Sequence, residues 1–472
     1  MRAYLASSIG VACAAALVLP LALPASAAPA APALSGTSAG PAGEVAVPGS
    51  TQSLPLVALP SERAAGAAQQ GLTRRDVRPF SLVGVVWDDP EDELHGSVQV
   101  RTRATGTSTW SGWQSVETHN HHHAADPGTP ERDSGTVRGS TAPLWVGASD
   151  GVEVRVRAEA PRSGGTPATL PRGMRIELVD PGDEPSSEPA REPASEDTAQ
   201  GPEIPEGNDT GTTTGQAPAP APVLTPEESA ASAVNAELVP LGATEIPELS
   251  KAETDAAFAD QFGDEAMASK PYIGPRPRII TRKGWGADER LRERNFVYTK
   301  SVQAAFLHHS ATGNNYTCKQ VPSVLRSIYR YHVKSSGWRD FGYNFAVDKC
   351  GNIYEGRAGG VAKAVLGAHT RGFNSNSMGI AVLGTYSQST PPKAAVTAVA
   401  RLTAWKLGLY GKDPRGKTTL TSGGGNRYKK GAKVKLNVIS GHRDGFLTDC
   451  PGSRLYGKLG TARKASAKYQ GR

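Results

Sequence analysis

Aromatic side chains make up only 6% of the 472 residues, and there are only four cysteines. Scarce aromatics alongside 36 prolines exclude a chain that is packed core from end to end, and fit two or three domains with loosely built stretches between them. After the N-terminal segment, no run is long and apolar enough to span a bilayer, which excludes a membrane-embedded body. The stretch Ser422-Gly423-Gly424-Gly425-Asn426 lacks both the Gly-Lys-Ser/Thr ending and the following helix of a phosphate loop, so it reads as a surface insertion. Cys13 sits inside an apolar run with no leucine three positions earlier, so a lipoprotein box is missing too.

What is present divides the chain into five regions. Arg2, the apolar run Val11 to Leu19 and the small residues Ala25-Ser26-Ala27 read as a secretory signal over 1–27, and Pro20 and Pro24 argue against a transmembrane anchor. Residues 28–74 are rich in Ala, Pro and Ser, without a sustained period, and read as flexible or as a processed leader. Residues 75–182 carry short segments of period-2 alternation, such as Gly96 to Arg103 and Gly151 to Arg157, with Gly/Pro/Asp turns between them; these predict a small β-sandwich-like domain. Its polar loop holds His119, His121, His122 and His123, a tract read as solvated rather than metal-binding. Trp110 and Trp113 are either core residues or a sugar-stacking platform.

Charge separates the remaining two regions. Residues 183–269 are acidic and Pro-rich, with a net charge of about −17, and predict a semi-extended linker with room for a short helix near Ala256 to Phe262. Residues 270–472 carry about +27. That basicity suits an anionic cell wall; nucleic acid is not expected as a partner, because no nucleic-acid motif accompanies the charge. Here the pattern is mixed α/β, with a helix at Ser323 to His332, a second at Lys393 to Leu407 stopped by Gly408, and strands at Tyr343 to Val347, Ile353-Tyr354 and Met378 to Leu383.

His308, His442 and Cys450 carry the most chemical information. His308 ends the apolar run Ala304 to Leu307, and His442 and Cys450 stand eight residues apart in a Gly- and Asp-rich segment. Two imidazoles and a thiolate are three zinc ligands, with a fourth tetrahedral position left for water, as in a catalytic site. The bland alternative is a core histidine and a structural cysteine.

Several segments now point one way: Gly284-Trp285-Gly286-Ala287, His308-His309-Ser310-Ala311-Thr312, Gly337 to Phe345, Ile353-Tyr354-Glu355-Gly356-Arg357, Gly367-Ala368-His369, Asn376 to Ile380 and His442 to Pro451. In this order they resemble the peptidoglycan recognition protein and type 2 amidase family, relatives of phage T7 lysozyme. The resemblance covers well under half of the chain. It implies a central mixed sheet flanked by helices, one zinc ion and hydrolysis of the N-acetylmuramoyl-L-alanine amide of peptidoglycan. It further implies His308, rather than His309, as the first ligand, which agrees with adjacent strand residues pointing to opposite faces.

By the same resemblance Tyr343 is the active-site tyrosine, while Thr448 stands where T7 lysozyme has a lysine, and its role stays open. Glu355 is either a proton relay to the leaving amine or a structural hydrogen-bond partner. His369, Asn374 and Asn376 are expected near bound muropeptide, and Arg357 and Arg371 are candidates for a stem carboxylate. With Cys450 on zinc and Cys13 removed, Cys318 and Cys350 remain to form a disulfide in an oxidising compartment. The composite expectation is a secreted, wall-associated monomeric amidase. The rival is a noncatalytic peptidoglycan-binding protein, a class in which serine typically replaces the ligand cysteine.

Overall fold

The computed structural model describes residues 49–59, 68–118, 123–160, 168–183, 224–263, 265 and 272–472. The expected signal, residues 28–48, His119, His121, His122 and positions 184–223 of the linker lie outside them. All described residues belong to one compact unit.

The β domain begins well before residue 75, which corrects the expected boundary. β1 (Ser50–Pro55) pairs antiparallel along its whole length with β8 (Arg175–Asp180). Between them come β2 (Val57–Ala58), β3 (Gln69–Trp87), β4 (Gly96–Ala104), β5 (Gln114–Val116), β6 (Gly139–Ser140) and β7 (Leu144–Ala158). The sheet runs β1-β8-β3-β7-β4-β5, with β2 and β6 also on β3. Register shifts between β3 and β7 bend the long strands. The expected alternation holds: Val98, Val100, Val152, Val154 and Val156 enter one core with Phe80, Val83, Val85 and Trp87. Trp110 and Trp113 are not in that core. Arg74 lies over Trp110 (5.0 Å), and Arg101 and Arg155 lie over Trp113 (4.9 and 4.0 Å).

The acidic linker is the second correction. Its latter part is a folded strap on the C-terminal domain. α1 (Pro226–Ala233) and α2 (Lys251–Phe262) both start with a capping box, Thr225 with Glu228 and Ser250 with Glu253, which satisfies N-terminal N–H groups in both directions. Between the helices, β9 (Glu245–Ile246) adds an edge to the C-terminal sheet by pairing with β10 (Ile279–Ile280). Val239, Ile246 and Phe258 are buried in the core of the C-terminal domain. Glu228, Glu245 and Glu248 reach Lys283, Arg278 and Arg401. Apolar burial, which the charge count conceals, overrides the acidic composition.

The C-terminal sheet adds β11 (Ala304–His309), β12 (Phe345–Val347), β13 (Ile353–Glu355), β14 (Ser377–Val382) and β17 (Ile439–Gly441), in the order β17-β11-β14-β12-β13-β10-β9. A separate hairpin, β15 (Lys417–Thr421) with β16 (Lys433–Asn437), carries the glycine-rich stretch in its connection. α3 (Val321–Arg330) packs on one sheet face; α4 (Lys393–Leu409), which continues through Gly408, packs on the other with α7 (Leu459–Tyr469). The short α5 (His442–Gly445) and α6 (Ser453–Tyr456) follow β17. Cys318 and Cys350 are joined as a disulfide, tying the turn before α3 to the turn between β12 and β13.

The two domains share a hydrophobic core. Leu82, Val86, Trp145 and Val179 of the β domain cluster with Val321, Val324, Leu325, Ile328 and Tyr331. Tyr331 donates its hydroxyl to the Thr141 carbonyl (3.0 Å), and Gly84 allows this approach because a Cβ there would lie 2.3 Å from that hydroxyl. Arg326 donates to the Pro181 carbonyl (3.1 Å) and Ser335 to Glu177 (3.0 Å).

Candidate metal centre

Strand pairing brings the distant ligands together. β11 runs parallel to β17, with Leu307 opposite Gly441, so His308 and His442 emerge side by side at the carboxyl ends of the two strands, where open α/β sheets place their ligands. The Asp444 carboxylate accepts from the Gly441 N–H (2.9 Å) and the Tyr456 hydroxyl (2.7 Å), which fixes the start of α5. The following loop returns Cys450: its N–H donates to Thr448 Oγ1 (3.1 Å), and its carbonyl accepts from the Arg443 N–H (3.1 Å).

Four buried residues converge there, and their donor atoms, one from each of His123, His308, His442 and Cys450, lie within 4.8 Å of one another. His308 Nδ1 is 3.1 Å from His442 Nδ1 and 3.8 Å from Cys450 Sγ. His123 Nε2 is 3.2 Å from His308 Nδ1, 3.1 Å from His442 Nδ1 and 3.6 Å from Cys450 Sγ. A neutral imidazole carries a single N–H, so each ring whose N–H sits on its other nitrogen can present a lone pair to this common point. This donor set could hold a metal ion. Burial holds the His442 imidazole well below its usual range, helped by the neighbouring histidines, and pushes the Cys450 thiol up.

A second layer orients His308. Its Nε2 is 3.3 Å from Thr370 Oγ1, which in turn is 3.1 Å from His369 Nδ1. An N–H on Nε2 leaves the Nδ1 lone pair aimed into the cluster, the usual role of a partner behind a metal ligand. Sequence reasoning did not single out Thr370. The Tyr343 ring lies 5.2 Å from that of His308 and 5.7 Å from that of His123, and burial holds its phenol well above the usual range. His309 points to the other face, where Nδ1 accepts from the Tyr386 N–H (3.2 Å) and burial lowers its pKa to about 4.

Three expected site residues stand elsewhere. His308 pairs with Ala381, Ala381 with Ala346, and Ala346 with Tyr354; Tyr354 therefore shares the His308 face, and Glu355, next in sequence, points to the opposite one. There its carboxylate accepts from Asn235 Nδ2 (3.0 Å) and the Arg282 N–H (3.2 Å), and burial raises its pKa to about 7. The structural alternative is the one this geometry fits, not the proton relay. Asn376 precedes β14 by one residue and Ala381 by five, about 16 Å along the strand, so it lies at the far end of the sheet. His369 is fully buried behind His308 rather than open to a ligand; its ring fits because a Cβ at Gly379 would come within 2.3 Å of it.

The remaining expected substrate contacts are held by the β domain. Asn374 accepts from the N–H groups of His369 (2.7 Å) and Thr370 (3.0 Å), and donates to the Ala124 carbonyl (2.8 Å) and to Asp126 (2.6 Å). Asp126 also accepts from the Gly372 N–H (2.7 Å), and burial raises its pKa to about 6. Arg357 makes a buried two-pronged pair with Glu131, both contacts 2.8 Å. Arg371 meets Glu91 at 2.8 Å. His123 itself departs from the reading of its tract as solvated: it is 5% exposed and sits in the donor cluster that could hold a metal ion.

A family model described as N-acetylmuramoyl-L-alanine amidase matches residues 298–453, and one described as Rv3811 N-terminal galactose-binding domain-like matches residues 37–196. Peptidoglycan-recognition protein SC1a of Drosophila melanogaster is 32% identical over 193 residues, 41% of this chain and 90% of that protein. The chain belongs to the peptidoglycan recognition protein and type 2 amidase family. Another relative, the human N-acetylmuramoyl-L-alanine amidase, is 31% identical over 210 residues, 44% of this chain and 31% of that one. Among solved structures, wild-type Drosophila PGRP-LB is 26% identical, covering 39% of this chain and 92% of that chain, with a TM-score of 0.31. The amidase match holds His308, Tyr343, His442 and Cys450, whereas His123 lies in the galactose-binding-like match. Among the described residues no helix is long and apolar enough to cross a membrane.

Proposed function

We propose that this protein is a secreted, monomeric, zinc-dependent N-acetylmuramoyl-L-alanine amidase acting on peptidoglycan. The observation that carries the reading is a thiol in the ligand set: Cys450 faces His308 and His442 beside the Tyr343 ring. A tetrahedral zinc site has ligand–ligand edges of about 3.3 Å between nitrogens and about 3.6 Å between nitrogen and sulfur, from the usual metal–ligand lengths. The His308–His442 and His308–Cys450 separations of 3.1 and 3.8 Å fit that figure.

Zinc held there supplies Lewis acidity toward the scissile carbonyl and acidifies a water near neutral pH. The chain's own residues do the rest. Thr370 holds His308 in the tautomer that presents Nδ1. Tyr343, kept protonated by burial, donates a hydrogen bond to the oxygen that gains charge as the amide carbonyl becomes tetrahedral. Thr448 sets the Cys450 loop through the Cys450 N–H. Export fits the Cys318–Cys350 disulfide.

One observation favours the second reading, peptidoglycan binding without hydrolysis: His123 stands where water is needed. Prolonged digestion of purified sacculi with the full chain, followed by mass spectrometry, separates the two. The amidase releases free stem peptides with an N-terminal L-alanine; chelation stops release, zinc restores it, and Cys450→Ser abolishes it while binding to sacculi persists. Full hydrolysis by Cys450→Ser would sink the zinc-thiolate assignment, and binding with no released peptide from either the wild type or His123→Ala would leave recognition as the function.

A further inference from the structure

We propose that the N-terminal β domain is a built-in inhibitor of the metal centre: His123 is a fourth protein ligand, and the acidic residues that follow it occupy the groups meant for substrate. The first half rests on the zinc reading of the cluster; the second extends it to regulation.

Distance argues for ligation. The His123 Nε2 edges to the two histidines, 3.2 and 3.1 Å, and to the thiol, 3.6 Å, match the 3.1 and 3.8 Å edges from His308 to His442 and Cys450, and all four donors lie within 4.8 Å of one another. Four protein ligands make a closed site, whereas a catalytic zinc keeps one position open. With His123 in place no position is left for water, and its ring lies edge-on to Tyr343, across the path by which a carbonyl would reach the phenol.

Charge argues for mimicry. A stem peptide presents carboxylates and amide groups. Within eight residues of His123, the chain offers the same chemistry to three groups on the catalytic domain: the Asp126 carboxylate to Asn374 and the Gly372 N–H, the Ala124 carbonyl to Asn374, and the Glu131 carboxylate to both prongs of Arg357. The Glu131–Arg357 pair is buried on both sides, at 5% and 4% side-chain exposure, and a two-pronged contact of this kind selects a planar carboxylate. Random packing of two domains would not place a metal donor and two buried carboxylates on one short segment facing the expected substrate contacts. Hydrolysis therefore requires segment 123–131 to withdraw.

Cobalt-loaded full-length protein tests the ligand. Wild type should give the visible spectrum of a four-coordinate site with one thiolate, and His123→Ala should shift it. Loss of an outer partner alone weakens metal binding about 10–100-fold, so loss of a direct ligand should weaken zinc binding, read by chelator competition, by at least about 100-fold. Imidazole added to His123→Gly should restore the wild-type spectrum, which separates lost ligation from misfolding. Amide hydrolysis of soluble muropeptide should rise at least about tenfold in His123→Ala. It should also rise in Glu131→Gln, which leaves every metal donor in place. An unchanged spectrum and zinc affinity in His123→Ala would overturn the fourth ligand. A changed spectrum without gain of hydrolysis in either variant, although Cys450→Ser still abolishes the wild type's slow release, would overturn inhibition and leave His123 a fixed ligand. If wild type takes up no cobalt or zinc, the zinc reading itself fails.

Discussion

The C-terminal domain is gripped in several places by sequence that precedes it, and two of those grips differ in kind. The strap 224–263 buries Val239, Ile246 and Phe258 in the catalytic core and adds β9 to the sheet edge. The segment 123–131 buries one imidazole and two carboxylates against polar partners. Apolar burial is non-directional and holds wherever water is excluded. A buried polar contact is worth little net when paired, yet costs a great deal when one partner is taken away. The strap is thus built to stay, while the segment is built to recognise one surface in one register.

Truncation is the severest way to test that contrast. A fragment starting near Lys270, the boundary read from composition, lacks the strap and leaves the neighbours of Ile246 and Phe258 open to water. Losing one buried side chain of this size costs about 2–5 kcal/mol, so removing three together should leave the fragment unfolded or aggregated. A fragment starting at Leu224 keeps the strap and should melt at a higher temperature in calorimetry than the Lys270 fragment, although it too loses Leu82, Val86, Trp145 and Val179 from the core around α3. Equal melting of both fragments would make the strap an ornament.

Glu131→Ala should have the next largest effect. It leaves the Arg357 guanidinium buried without its carboxylate, a loss of about 3–5 kcal/mol where the partner stays buried, read as a lower denaturation midpoint of the full chain. A smaller loss, accompanied by greater protease sensitivity around 123–131, would mean that the segment lifts and water reaches Arg357. The smallest effect belongs to the strap's surface: Glu245→Ala removes a half-exposed pair with Arg278 and should cost less than about 1 kcal/mol. A larger loss would show that charge, not apolar area, fastens the strap.

Legibility followed the range of each signal. The residues His308, His442 and Cys450 could be picked out because each lies in a local motif, and the family resemblance chose His308 over His309, with alternation along the strand only setting the two on opposite faces. The same alternation was of no use for Glu355 until the β12–β13 and β12–β14 registers were known, because facing is inherited through pairing and not through sequence. The strap misled because its acidic composition was averaged over the whole stretch, although the capping boxes Thr225/Glu228 and Ser250/Glu253 were written in it. His123 was legible only as one histidine of a tract. Its partners lie 185 or more positions away, and nothing local marks which histidine of such a tract turns inward.

The Cys318–Cys350 bridge bears on what remains when the β domain moves off. α3 carries the docking residue Arg326 in its middle and Tyr331 just beyond its end, and with the domain gone one side of that helix faces solvent. Its base, however, is stapled to the β12–β13 turn by a bond that spans 32 positions. A closed loop of that length removes about 4 kcal/mol worth of freedom from the unfolded chain by chain-entropy reasoning. The bridge thus acts as a covalent moor: outside the reducing cytoplasm, the catalytic half keeps the helix it would otherwise have to re-dock, and can cast off its partner without coming apart.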